Sequence, residues 1–149
     1  MARIFPHHVV VDQPGRVSAR PLRTADLAVV AVGGALGAVL RFAIDSAAPG
    51  TLLPWPTLAI NVVGAFLLGA LPALGAVRRS HRVAAFLGPG VLGGFTTVSA
   101  WVGQVRSLAD DGHVALAGTY LAVTLGAGLL AAAVGQRLAH RPEPEEALR

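Results

Sequence analysis

Four stretches of this chain, about 25–44, 57–77, 83–105 and 114–138, each run for roughly 20 residues or more almost without charge. At about 1.5 Å rise per residue, each can cross a hydrocarbon core of about 30 Å as a helix. A helix inside a soluble core is usually shorter and keeps one polar face. These stretches are apolar on every side. Four such spans in 149 residues leave little chain for anything else, and 54% hydrophobic against 13% charged residues agrees with that. The expectation is an all-α membrane protein of four transmembrane helices occupying residues 25–138.

Residues 1–24 and 139–149 lie outside the spans. The first carries Pro6, Pro14, Pro21 and several arginines, and its longest apolar run is Val9–Val11. It lacks the apolar core of a cleavable signal peptide and reads as a disordered cytoplasmic tail, as does the C-terminal segment. His7 and His8 are adjacent but have no further ligands beside them, so they read as solvent-exposed. Cysteine is absent, which excludes disulfides and thiolate chemistry. All 12 basic residues are arginine. They lie between and beside the spans rather than in one patch, so nucleic acid is not an expected partner.

The arginines also set an orientation. With connections at 45–56, 78–82 and 106–113, four spans put both termini and the 78–82 loop on one side. That side holds Arg3, Arg16, Arg20, Arg23, Arg78, Arg79, Arg82, Arg137, Arg141 and Arg149, against Arg41 and Arg106 on the other. Cytoplasmic loops collect Lys and Arg, so both termini are expected in the cytoplasm of a multi-pass cell-membrane protein. Trp55, just ahead of span two, suits the outer interface.

Polar side chains and helix breakers inside the spans are the functional candidates. In GGALGAVLR (33–41), Gly33, Gly37 and Arg41 recur every four residues on one face. The glycines alone read as a packing seam. Arg41 has two readings, snorkelling to the interface or facing a protein-lined vestibule that attracts anions. In PTLAINVVGAF (56–66), Thr57, Asn61 and Gly64 share a face. Asn61 either hydrogen-bonds a neighbouring helix or supplies amide donors to an ion path. In span three, Gly88, Pro89, Gly90, Gly93 and Gly94 precede Thr96, Thr97 and Ser99. A simple kink is one account. A functional discontinuity, with carbonyls freed to coordinate a cation, better explains five breakers beside three hydroxyls. Tyr120 and Thr124 stand one turn apart in span four, where interfacial anchoring and back-bonding to the helix are the simpler account.

No Asp, Glu, Lys or His lies in the interior of a span; Asp26 and Asp45 are at ends, and Asp110, Asp111 and His113 are in a loop. Proton-coupled and cationic-substrate transporters need such a group to titrate or to pair with. Passive movement of an anion is therefore favoured over pumping a cation. No nucleotide-binding or hydrolytic motif is present, and an enzyme is not expected. Two further readings stay open. One is a small four-span cation or drug exporter, against which the missing carboxylate counts. The other is a non-transporting membrane assembly subunit, against which the span-three breakers count.

GGALGAVLR, TLAIN followed by VVGAF, and GGFTT resemble, in order, spacing and span position, the CrcB/Fluc fluoride channels, and the likeness covers about residues 27–138. The resemblance implies an antiparallel, dual-topology-like dimer of four-helix subunits with a broken third helix, passing fluoride passively out of the cell. It implies a structural sodium ion at the dimer centre, held by backbone carbonyls of Gly93 and Thr96. It makes Arg41 the vestibule charge, Asn61 the pore amide, and Tyr120 and Thr124 a polar track, with Val98, Ser99 and Trp101 also on the fluoride pathway.

Departures from the family pattern bear on function. The family's GGxTTFSTF has phenylalanines whose ring edges face the anion, and here those positions are Val98 and Trp101. Valine has no electropositive edge, whereas Trp101 keeps an edge and an indole N–H. The glycine usually preceding the span-two threonine is Pro56, tolerable at a helix start. Gly128 stands where a second hydroxyl would extend the track. A homodimer of this kind needs a chain that inserts both ways, and ten arginines against two is not balanced. The expectation is a heterodimer with an oppositely oriented paralogue rather than a self-paired homodimer.

Overall fold

The computed structural model describes residues 24–48 and 50–140, and every element in that range is helical. Helix α1 is Thr24–Ala47 and α2 is Trp55–Ala70, followed by a 3₁₀ turn at Leu71–Ala73. A short α3, Gly75–Arg79, leads to α4, His81–Ala85, which continues through a π-wound segment, Phe86–Leu92, into α5, Gly93–Phe95. Helix α6 is Val98–Asp110 and α7 is Val114–Ala139. Four lengths, Thr24–Ala47, Trp55–Ala73, His81–Asp110 and Val114–Ala139, are long and apolar enough to cross a membrane. The chain is a multi-pass membrane protein. Apart from Thr24, Ala139 and His140, the expectations for the two tails fall outside the described residues.

Two local outcomes differ from the sequence reading. The second apolar stretch does not run as one helix to Val77. Pro72 lacks the N–H that a continuing ladder needs, α2 tightens into a 3₁₀ turn, and Leu74 turns extended at φ −76°, ψ 116° before α3 restarts. In the third, the glycine–proline run is not where the helix gives way. Gly88, Pro89 and Gly90 lie within the π-wound segment, whose wider turns accommodate a proline inside a helix. The extended residues come later, at Thr96 (φ −75°, ψ 156°) and Thr97 (φ −147°, ψ 117°).

Helix α2 packs along α7, while α1 packs on the π-wound segment and α5, and α6 on α7. The α1 contact depends on missing side chains. Gly33 and Gly37 are the buried residues of α1. A Cβ on Gly33 would sit 2.6 Å from the Phe86 carbonyl, and one on Gly37 would overlap the Val91 carbonyl. Lipid supplies no hydrophobic drive between helices, so such close backbone approach is what holds them. The opposite face of α1 carries Val39 and Phe42, 65% and 72% exposed, as hydrocarbon rather than water would permit. One ion pair, Arg82 to Asp26 at 3.9 Å, ties the start of the third crossing to the start of α1.

Between α6 and α7 the reversal is tight. Gly112 has φ 85°, and the His113 N–H reaches the Leu108 carbonyl at 2.8 Å, a glycine-dependent helix stop. It sets Leu108 against Ala117 and Tyr120 in a buried apolar cluster, with Leu53, Leu58 and Trp101 around it.

Gly37→Val forces α1 off the third crossing and is expected to cost about 2–3 kcal/mol or more, read as a lower melting temperature in detergent. Gly118→Ala, at a position with open space around it, should change stability by no more than about 1 kcal/mol, in the stabilising direction.

Candidate functional site

The centre of the site is a polar side chain that the α-helical ladder does not need. Asn61 sits mid-way along α2, which starts at Trp55 with Pro56 in its first turn. Its Oδ1 accepts the Thr97 N–H at 2.8 Å, and its Nδ2 donates to the Thr97 carbonyl at 3.0 Å. One amide therefore holds both peptide groups of a single residue on the third crossing. Its surroundings follow from that. Thr97 caps α6, its Oγ1 accepting the Ala100 N–H at 3.2 Å and lying 3.3 Å from Ser99 Oγ. Thr96 folds its hydroxyl back to the Leu92 carbonyl at 2.9 Å.

The carbonyls at this point are distributed unevenly. Arg41 Nε donates to the Gly94 carbonyl at 3.3 Å, placing a cation at the C-terminal end of α5, where the helix dipole favours one. In a continuous helix the Gly93 carbonyl would accept from Thr97 N–H and the Thr96 carbonyl from Ala100 N–H. Both donors are turned to side-chain oxygens instead. These two carbonyls are therefore free of their helical partners. Among the described residues no cluster of His, Cys, Asp or Glu could hold a metal. Neutral backbone oxygens remain, a donor set that fits a hard, weakly charged cation and not a transition metal.

Beside this point, α2, the third crossing and α7 enclose an open groove of about 440 Å³. Asn61, Gly93, Thr96, Val98, Trp101 and Thr124 are all in its lining, and none of the lining residues is acidic. Val98 is 69% exposed at its mouth. Trp101 Nε1 and Thr124 Oγ1 are buried with no hydrogen-bond partner among the described residues. Unpaired donors at such depth are costly and commonly mark a ligand or ion site. The expected back-bond from Thr124 to its own helix is not made.

Arg41, Ser99 and Tyr120 lie outside the groove lining. Tyr120, 2% exposed, is not an interfacial anchor. Its hydroxyl donates to Gln104 Oε1 at 2.8 Å, and Gln104 Nε2 donates to Thr57 Oγ1 at 2.8 Å. This chain joins α7, α6 and α2 behind the groove. Sequence reasoning had no role for Gln104. A signal existed: Thr97, Trp101, Gln104 and Leu108 recur at four, three and four residues on one face of α6.

The sequence that builds this site has relatives among known proteins. The family model described as CrcB-like protein, Camphor Resistance (CrcB), matches residues 28–136. The chain belongs to the CrcB family. Its curated relatives include the "Fluoride-specific ion channel FluC" of Novosphingobium aromaticivorans, 44% identical over 110 residues, which covers 68% of this chain and 86% of that one. "Fluoride-specific ion channel FluC 1" of Rhodococcus jostii is 45% identical over 118 residues, 79% of this chain and 88% of its own. "Fluoride-specific ion channel FluC 2" of Nocardia farcinica is 40% identical over 129 residues, 84% and 91%. The family match spans all four apolar lengths, the Asn61 clamp and the groove.

Gln104→Leu leaves the Thr57 hydroxyl without the Gln104 donor and Tyr120 with only a long 3.5 Å bond to the Pro54 carbonyl, and is expected to destabilise the protein by about 1–3 kcal/mol. Adding Thr57→Val and Tyr120→Phe to it should recover much of that loss, because no polar group is then stranded. Thermal unfolding of the single and triple variants in detergent measures the difference.

Proposed function

We propose that this chain is a subunit of a passive, fluoride-selective channel in the cell membrane, exporting fluoride to lower its cytoplasmic concentration. The observation that carries the reading is the groove. Membrane-depth donors on Trp101 and Thr124 line it with no partner among the described residues, beside Asn61, whose amide is engaged by Thr97, and no lining residue is acidic. The names of the relatives point the same way. An anion that sheds water needs donors and no competing carboxylate. Export needs no energy source: hydrogen fluoride enters neutral and ionises, and an inside-negative potential is worth about 2.3 kcal/mol per charge per 100 mV on the expelled anion. The missing membrane carboxylate also weighs against a proton-coupled cation exporter.

In this reading Arg41 raises the anion concentration at one mouth, and Asn61, Ser99, Trp101, Tyr120 and Thr124 line or support the route past Val98. Gly93 and Thr96 would hold a structural sodium ion through their carbonyls, and its charge would offset the like-signed oxygens brought together there. The arginine bias supports insertion with both termini cytoplasmic, and hence a heterodimer with an antiparallel paralogue. Val98 makes this subunit's own pathway the poorer of two.

Fluoride efflux from liposomes tests this. The chain alone should release little fluoride, and the chain with an oppositely oriented paralogue should release it readily while retaining chloride. Restoring an aromatic edge with Val98→Phe should speed the mixed channel. Fluoride release indistinguishable from empty liposomes under both conditions would remove the channel reading. Rapid release by the chain alone would remove the heterodimer.

A further inference from the structure

The geometry points to Asn61 as a positioning residue that holds the third crossing open, rather than one whose amide is free for the passing anion. This rests on the proposed cation seat and gives it a cause. Both functional ends of the amide are already engaged, Oδ1 with the Thr97 N–H at 2.8 Å and Nδ2 with the Thr97 carbonyl at 3.0 Å. One Nδ2 hydrogen remains, so the clamp claims most of what the side chain offers.

The local sequence does not account for the extended pair. The residues most able to break a helix, Gly88, Pro89 and Gly90, are wound into helix, and so are Gly93 and Gly94. The residues that leave the helix are two threonines, which extended backbone suits but does not require. What distinguishes Thr97 is its neighbour on α2. Were the Thr97 N–H released, the nearest helical acceptor would be the Gly93 carbonyl, and closing that bond would extend α5 toward α6. Asn61 Oδ1 takes that N–H at 2.8 Å, so the helical bond is not made. Gly64, one turn further along the same face of α2, leaves room for the Thr96 side chain, whose Cγ2 occupies the place a Cβ at Gly64 would take.

From the other side, α1 contributes Arg41 Nε on the Gly94 carbonyl. The opening is thus held between two helices that flank it. The acceptor oxygen of Asn61 carries the essential half, because it diverts the one donor that would otherwise occupy the Gly93 carbonyl. The donor nitrogen steadies Thr97 but frees nothing.

Two substitutions separate the halves. Asn61→Asp keeps an oxygen facing the Thr97 N–H, and Asn61→Ala removes it. The full chain is reconstituted in bilayers with its paralogue, and backbone ¹³C shifts of Thr96 and Thr97 are read by solid-state NMR. Melting temperature in sodium is compared with that in N-methylglucamine. Asn61→Asp should keep extended-type shifts at both threonines and keep the sodium-dependent rise in melting temperature. Asn61→Ala should move the shifts to helical values and abolish the sodium dependence. If Asn61→Ala keeps the extended shifts, or Asn61→Asp loses them, the inference is overturned and the amide acts on the ion alone. Should Asn61→Ala not assemble, the Asn61→Asp shifts still decide. None of these readouts depends on fluoride movement, so failure of the channel reading would be seen separately.

Discussion

At membrane depth every peptide group must find a partner within the protein, and the Asn61 clamp on Thr97 is where this chain meets that demand outside a helix. Two consecutive extended residues strip a helix of several backbone bonds. Here side chains take several of the exposed groups: Thr97 N–H and carbonyl by Asn61, Ala100 N–H by Thr97 Oγ1, and the Gly94 carbonyl by Arg41. Net charge at the site comes from Arg41 and from nothing else in contact. The carbonyls of Gly93, Phe95 and Thr96 lose their helical donors, with no replacement among the described residues, and they lie within one turn of one another. A backbone arranged in this way collects negative potential over a short stretch.

That arrangement needs rigid neighbours, because a displacement of α1 or α2 by an ångström would break the hydrogen bonds at 2.8–3.3 Å that hold it. The glycine seam supplies one wall. Gly33 and Gly37 bring α1 into backbone contact with the π-wound segment and so carry Arg41 to the Gly94 carbonyl on the same stripe. The Tyr120–Gln104–Thr57 chain supplies another, tying α2 to α6 and α7 from behind. Packing by small residues and buried polar links replaces the large apolar core that a soluble protein of this length would have.

The broad plan was legible in the sequence because lipid imposes a coarse rule. Four charge-poor stretches become four crossings, with ends within a few residues of expectation except where Pro72 stops the second. Asn61, Thr96, Val98, Trp101 and Thr124 lie around one groove, although Val98 and Trp101 stand out only through the family resemblance and Thr124 reads from its residues alone as back-bonding to its helix. What was not legible depends on contacts between crossings. Breakers at 88–94 mark where a helix can give way cheaply, whereas the actual exit at Thr96–Thr97 is decided by an amide on another helix. Gln104 went unnoticed for a similar reason. A neutral amide near the end of a span carries no charge signal, and its partners Thr57 and Tyr120 are distant in sequence. Gly33 and Gly37, in contrast, form the packing seam that their spacing alone suggests.

The groove makes the case that a lone copy is incomplete under the proposed function. Exposed Val98, Leu125 and Leu129, 69%, 53% and 66% accessible, cost nothing against lipid, since hydrocarbon tails are as apolar as leucine. The Thr124 hydroxyl and the indole N–H of Trp101 along the same wall are another matter, because they have no partner among the described residues and hydrocarbon offers none. A partner that covers this wall would exclude lipid from the polar residues and leave a passage only as wide as an ion. In the proposed pair the partner is a paralogue whose arginine bias is reversed, so each chain would meet the positive-inside rule in its own orientation, and this chain would supply the half with both termini in the cytoplasm.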